Sequence, residues 1–201
     1  QNQDLRTLVL ERDNLLLASI RAADRKDVQT ASTTSIALIM ALHWLGPAAA
    51  ALPIADRALG LEGIAPRSHT HLLRLRALSH HFLGHTDDAH ADLHEAGQLA
   101  QTIDDPSVAA QVYLEQGRQY DAAGAVEMAL AAFQSSLDAF HAAEDPAGEG
   151  RAIAAMGSLA AKRGELEPAE RLYVAALAQH RRDGDPQAEG AALSNLAILT
   201  T

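Results

Sequence analysis

Seven of the ten histidines (His69, His71, His80, His81, His85, His90 and His94) fall within 26 residues of one another. Imidazole binds metals and exchanges protons near neutral pH, so such a density is the first place to look for chemistry. Within it, His90 and His94 are four apart, a spacing that sets two imidazoles on one face of a helix as a metal site requires. Against that reading, Ala89 and Leu93 claim the packing face of the same helix, and no spacing fixes a third ligand. A solvated histidine-rich helix is the preferred reading, and neither a metal nor a cofactor is expected. The chain has no Cys, which removes disulfides, thiolate zinc sites and cysteine nucleophiles together. Its carboxylates and hydroxyls fall in no strand-to-helix elbow, paired acid site or other catalytic pattern. No phosphate loop of the GxxxxGK[ST] form occurs, so no ATPase activity is assigned and these residues are not expected to form an enzyme active site.

The elements that carry these histidines repeat. Gly84, Gly124 and Gly164 recur at a step of 40 residues, as do Ala89, Ala129 and Ala169, and Leu93, Phe133 and Tyr173. The pairs Asp105-Pro106, Asp145-Pro146 and Asp185-Pro186 keep the same step. Asp accepts hydrogen bonds from the orphan amides of a helix start, and Pro at the first helical position loses nothing by lacking its amide proton. Gly supplies the left-handed turn that stops the first helix of each unit. Lys162 and Arg163 before Gly164 favour that helix's negative end. A fixed period of this length predicts a solenoid, in which each unit buries its apolar faces against its neighbours. Aromatics are only 3% of the residues, so Ala and Leu must close most of the core.

Read in order, residues 1–29 form an N-terminal helical junction, with a helix from Asp4 to about Lys26 and an apolar face through Leu5, Leu8, Leu15, Leu16 and Ile20. The array is then expected over 30–201. It comprises a divergent pair at 30–65, repeats at 66–104, 105–144 and 145–184, and the lone first helix of a further repeat at 185–201. Pro53 falls inside the second helix pattern of the divergent pair, where it is expected to kink or delay that helix. The net charge of −10, with no basic run, argues against direct contact with nucleic acid. No apolar run is long enough to span a bilayer, and a cytoplasmic location is expected. The chain begins at Gln1 and stops inside a repeat, which suggests a piece of something longer and an exposed apolar end available for self-association.

These landmarks resemble the tetratricopeptide repeat. Gly157, Gly164, Ala169, Tyr173 and Ala176 match its pattern in order, as do Gly117, Tyr120, Gly124, Ala129 and Phe133; the match covers about 66–201. The resemblance implies an all-α, right-handed superhelical solenoid of antiparallel helix pairs. The step of 40 is similar to that of the longer-helix variety found in kinesin light chains and many bacterial regulators. Leu10-Glu11-Arg12-Asp13-Asn14-Leu15, with Ala18 and the later His43-Trp44-Leu45-Gly46, looks like the helical junction after the nucleotide-binding module of bacterial signal-transduction ATPases. In that family a tetratricopeptide sensor follows the switch that drives an effector domain.

What the repeat family implies about function is a concave wall that holds a peptide or partner helix. Transferred by register, its positions are His71, Arg74 and Leu75, then Gln111, Leu114, Glu115 and Arg118, then Arg151 and Ser158, then Ser194 and Asn195. Asn195 matches the family's backbone-binding Asn, where the other units carry Leu75, Glu115 and Ala155. Arg74, Arg118 and Arg151 outnumber the single acid Glu115, and Lys162 lies one turn beyond Ser158, so an acidic protein or peptide is the partner expected. The function expected is a protein-interaction scaffold, the sensor or docking region of a larger bacterial signalling or transcriptional regulator. The rival from another class is a helical accessory part of an enzyme whose catalytic domain lies outside this segment.

Overall fold

Every Asp-Pro pair opens a helix. The computed structural model describes the backbone of residues 2–199 and their side chains except those of 2–10, 44 and 45. The parts expected of Leu5, Leu8, Leu10, Trp44, Leu45 and Thr201 therefore lie outside the described residues. Asp105 Oδ1 accepts from the Ser107 amide at 2.9 Å, Asp145 Oδ1 from the Gly148 amide at 2.8 Å, and Asp185 Oδ1 from the Gln187 and Ala188 amides at 3.0 and 3.1 Å. Pro106, Pro146 and Pro186 are the first helical residues that follow. At the other end of each first helix, Gly84, Gly124 and Gly164 have φ of +79°, +73° and +77°. This is the left-handed region the sequence predicts, and it lets the amide of the next residue reach back to a carbonyl five positions earlier. Those closures run from His85 to His80 at 2.9 Å, Ala125 to Tyr120 at 2.8 Å and Glu165 to Ala160 at 3.0 Å.

The period runs unbroken through these turns, whereas the backbone contacts divide the chain into two units, Gln1–Ile103 and Asp104–Thr201. The first holds α1 (Asn2–Asp24), α2 (Val28–Leu45), a single 3-10 turn at Ala48–Ala50, α3 (Leu52–Leu59), α4 (Pro66–Phe82) and α5 (Thr86–Ala100). α1 packs along α2, α4 pairs with α5, and α2 and α3 both pack on α4. Asp27 caps α2 by accepting the Thr30 amide at 3.1 Å, and the Ser19 and Ser35 hydroxyls meet at 2.8 Å in the buried α1–α2 seam. Pro53 delays its helix. It sits in the first turn of α3, where a missing amide proton leaves no bond unmade, so the 3-10 turn stands before it and α3 has only eight residues. The core gathers Leu38, Ile39, Leu42, Ala51, Ala55, Ala58, Leu72 and Leu75.

The second unit holds α6 (Pro106–Ala122), α7 (Val126–Ala142), α8 (Pro146–Lys162), α9 (Leu166–Asp183) and α10 (Pro186–Leu199). α6 pairs with α7 and α8 with α9, while α10 packs on α9 and α8. Three of the few aromatics are seated against a glycine on a neighbouring helix. Phe133 lies on Gly117, Phe140 on Gly148 and Tyr173 on Gly157. Phe133 and Phe140 are fully buried among Ala110, Leu114, Ala129, Ala152 and Leu159, which stabilises the unit by roughly 1.5–3 kcal/mol for each ring. Leu196 and Leu199 of α10 cover Ala160, Ala169 and Tyr173.

Candidate functional site

Within the second unit the first helices α6, α8 and α10 bound a cleft of about 280 Å³. Arg118 and Asp121 come from α6; Arg151, Ala154, Ala155 and Ser158 from α8; Ala188, Ala191, Ala192 and Asn195 from α10; and Phe133 and His180 reach it from behind. Four residues placed on the concave wall by sequence register (Arg118, Arg151, Ser158 and Asn195) therefore meet in one concavity. The alanines make a shallow floor that admits backbone or a bulky side chain.

Its charges are more evenly matched than the sequence suggests. Arg118 Nη1 donates to Glu115 at 3.0 Å, Lys162 Nζ to Asp121 at 2.7 Å, and Arg151 Nη2 lies 3.6 Å from Asp145. Asp121 and Asp145 are the acids that the register count leaves out, since one ends a helix and the other caps one. Arg151 also lies over the Phe140 ring at 5.3 Å, a cation–π contact that fixes its direction. Arg118 and Arg151 keep 48% and 46% of their side-chain surface exposed, so guanidinium donors still face solvent. Ser158 is already engaged: its hydroxyl donates to the Ala154 carbonyl and accepts from Tyr173, each at 3.1 Å.

The remaining expected wall residues are distributed differently. Leu75 and Leu114 turn inward and belong to the two cores, because the helix face they occupy meets the neighbouring helices rather than solvent. Glu115 is likewise nearly buried beneath Arg118. Gln111 is half-buried on α6 outside the cleft lining, and Ser194 is exposed on α10 with its hydroxyl bonded to Gly190 O at 3.0 Å. His71 and Arg74 are half-buried on α4 in the first unit. A larger apolar cavity in that unit, about 410 Å³, lies among α1, α2 and α3, lined by Leu16, Ile20, Leu38, Leu42 and Ile54 with Arg12, Asp13 and Arg57 among its polar members.

His180 was not a sequence candidate. Its ring is 3% exposed, and its Nδ1 has no hydrogen-bond partner. Burial lowers its pKa, and Arg151 adds to that while Asp185 and Asp183 oppose it. The ring sits so close to the α8 backbone that a Cβ on Gly150 would lie 2.6 Å from its Cε1.

Among the described residues, no third ligand converges on the spacing-based pair His90 and His94. His94 Nε2 is 3.0 Å from the Gln98 amide nitrogen, and His90 is half-buried. Among the described residues, the group of three potential ligands that converges is His80, His85 and Asp88, whose ligand atoms all lie within 4.8 Å of one another. His80 Nδ1 is 3.3 Å from His85 Nδ1 and 3.9 Å from Asp88 Oδ2. Sequence spacing conceals this group because the chain turns at Gly84 between its members.

No family model matches the sequence, and no curated protein matches it. Solved structures do. The chain is similar to BtubC from P. vanneervenii at 15% identity and a TM-score of 0.73, covering 98% of this chain and 82% of that one. Aspartyl phosphate phosphatase F from Bacillus subtilis matches at 15% identity and 0.70, covering 98% of this chain and 57% of the other. A chain of the APC/C hetero-tetramer Cut9-Hcn1 matches at 18% identity and 0.63, covering 94% and 37%. At these identities the likeness is one of fold. The chain has an all-α helical-repeat fold of the tetratricopeptide type.

Proposed function

We propose that the chain is a protein-interaction scaffold whose second unit holds a peptide or partner helix in the cleft between α6, α8 and α10. The observation that carries this reading is the convergence of Arg118, Arg151 and Asn195 from three successive first helices over a floor of alanines. Two half-exposed guanidinium groups on one wall offer planar, two-pronged recognition of a carboxylate, so the segment bound is acidic. The wider setting proposed is the sensor or docking region of a larger bacterial signalling or transcriptional regulator in the cytoplasm, supported by the resemblance of residues 10–46 to a signalling junction.

Arrayed acidic and neutral peptides, probed with wild type and with the double variant Arg118→Glu, Arg151→Glu at two salt concentrations, test the reading. Capture of acidic peptides falls at least about tenfold in the variant and weakens with salt. Binding that survives both reversals and ignores salt overturns it and moves the interface elsewhere, for which the apolar side chains of Leu193 and Ile198 on α10, with self-association, are the first place to look.

A further inference from the structure

The structure assigns a divalent transition-metal site to the turn between α4 and α5, with His80 Nδ1, His85 Nδ1 and a carboxylate oxygen of Asp88 as ligands. The backbone prepares it. Gly84 at φ +79° reverses the chain, and the bond from the His85 amide to the His80 carbonyl at 2.9 Å fixes the two residues on either side of that reversal. The imidazoles consequently stand with ring centroids 5.5 Å apart and their Nδ1 atoms 3.3 Å apart. A tetrahedral zinc ion with Zn–N bonds of about 2.0–2.1 Å holds its ligand nitrogens about 3.3–3.4 Å apart. That is the spacing found, and it is longer than the usual range for an N–H donor. Asp88 lies in the first turn of α5, with Oδ2 at 3.9 Å from His80 Nδ1, and its exposed side chain offers an oxygen within 4.8 Å of both imidazole ligand atoms, a gap that a change of rotamer can narrow.

The surrounding charges balance rather than oppose a cation. His80 stands in the last turn of α4, where the helix carbonyls favour positive charge. The first turn of α5 works against it, and the carboxylates of Asp87 and Asp88 in that turn offset the effect. The same backbone closure occurs at the two later turns, where the equivalent positions carry Tyr120, Ala125 and Met128, then Ala160, Glu165 and Pro168. The geometry is therefore a property of the repeat, and the ligand set is particular to this turn. Two imidazoles and one carboxylate suit Zn²⁺, and the exposed side of the turn leaves a fourth position to water.

Calorimetric titration of the whole chain with zinc chloride, paired with ¹⁵N spectra of the imidazoles, tests the site. One saturable equivalent is expected, with the ¹⁵N signals of Nδ1 in both His80 and His85 shifting together. His85→Ala and Asp88→Asn each weaken binding by more than about tenfold, while His90→Ala and His94→Ala leave it unchanged. Because His85 and Asp88 are exposed, both variants melt like wild type without metal, which separates loss of a ligand from loss of fold. Absence of saturable binding, its retention in His85→Ala, or its loss in His94→Ala overturns the assignment.

Discussion

Arg76 and Asp92 meet fork to fork, Nε to Oδ2 at 2.9 Å and Nη2 to Oδ1 at 2.6 Å, and the carboxylate is only 7% exposed. The remaining fork of Arg76 reaches Asp56 at 2.8 Å, so one guanidinium ties α3, α4 and α5 together. The hydrogen bond to Asp92 raises the Arg76 pKa, and the group stays charged at any working pH. Removing Asp92 leaves two arms of the mostly buried Arg76 fork without their carboxylate, with only the exposed Asp56 still paired to it. Asp92→Ala is expected to destabilise the first unit by about 2–4 kcal/mol, and Asp56→Ala, whose carboxylate is mostly exposed, by less than about 1 kcal/mol. Urea denaturation of both variants checks this, and equal losses would refute the ranking.

The glycines beneath the aromatics predict a second contrast. A Cβ on Gly117 would enter the buried Phe133 ring, which has nowhere to move, so Gly117→Ala is expected to destabilise the second unit by about 1–3 kcal/mol. Gly190 in α10 has open space around its Cβ direction. Gly190→Ala is expected to stabilise the helix by up to about 1 kcal/mol. Thermal melts of the two variants should move in opposite directions.

His180 makes stability depend on pH. Its native pKa lies below the ordinary 6.5 chiefly because of burial, so the unfolded chain takes up a proton before the native chain does. The native state is favoured fully above pH 6.5, loses stability as pH falls below it, and stops losing once His180 itself protonates. The second unit's melting temperature is expected to drop as pH falls below 6.5, and His180→Phe to flatten that slope. A slope unchanged in the variant would assign the dependence to other groups.

The repeat frame was legible because its signals are local. A cap is an Asp two or three residues from the amide it accepts, and a left-handed turn is a single Gly, so Asp145 and Gly164 can be read without knowing what surrounds them. Two of the second helices, α7 and α9, also end in left-handed turns, at Glu144 with φ +53° and at Gly184 with φ +71°, and the first of these has no residue-type signal. Relations across helices were not legible. Asp92 reads as one more surface carboxylate until α4 brings Arg76 to it from 16 residues away, and Asp121 reads as distant from Lys162, which is 41 residues on. The cleft was half legible: register found Arg118, Arg151, Ser158 and Asn195, yet missed His180 on a second helix and misplaced Leu75 and Leu114 by about one helical face.

Arg118 and Arg151 in the cleft, and Lys162 beside it, each already have a carboxylate next to them, so if the cleft takes the acidic segment proposed above it works as an ion exchanger. An incoming acid does not fall into an empty field; it competes with Asp145 or Glu115 for a guanidinium and keeps only the difference between two similar pairings. Departure is then as easy as arrival, since the chain's own carboxylate is waiting to return. Such a surface suits a partner that is sampled and released repeatedly rather than one that is stored.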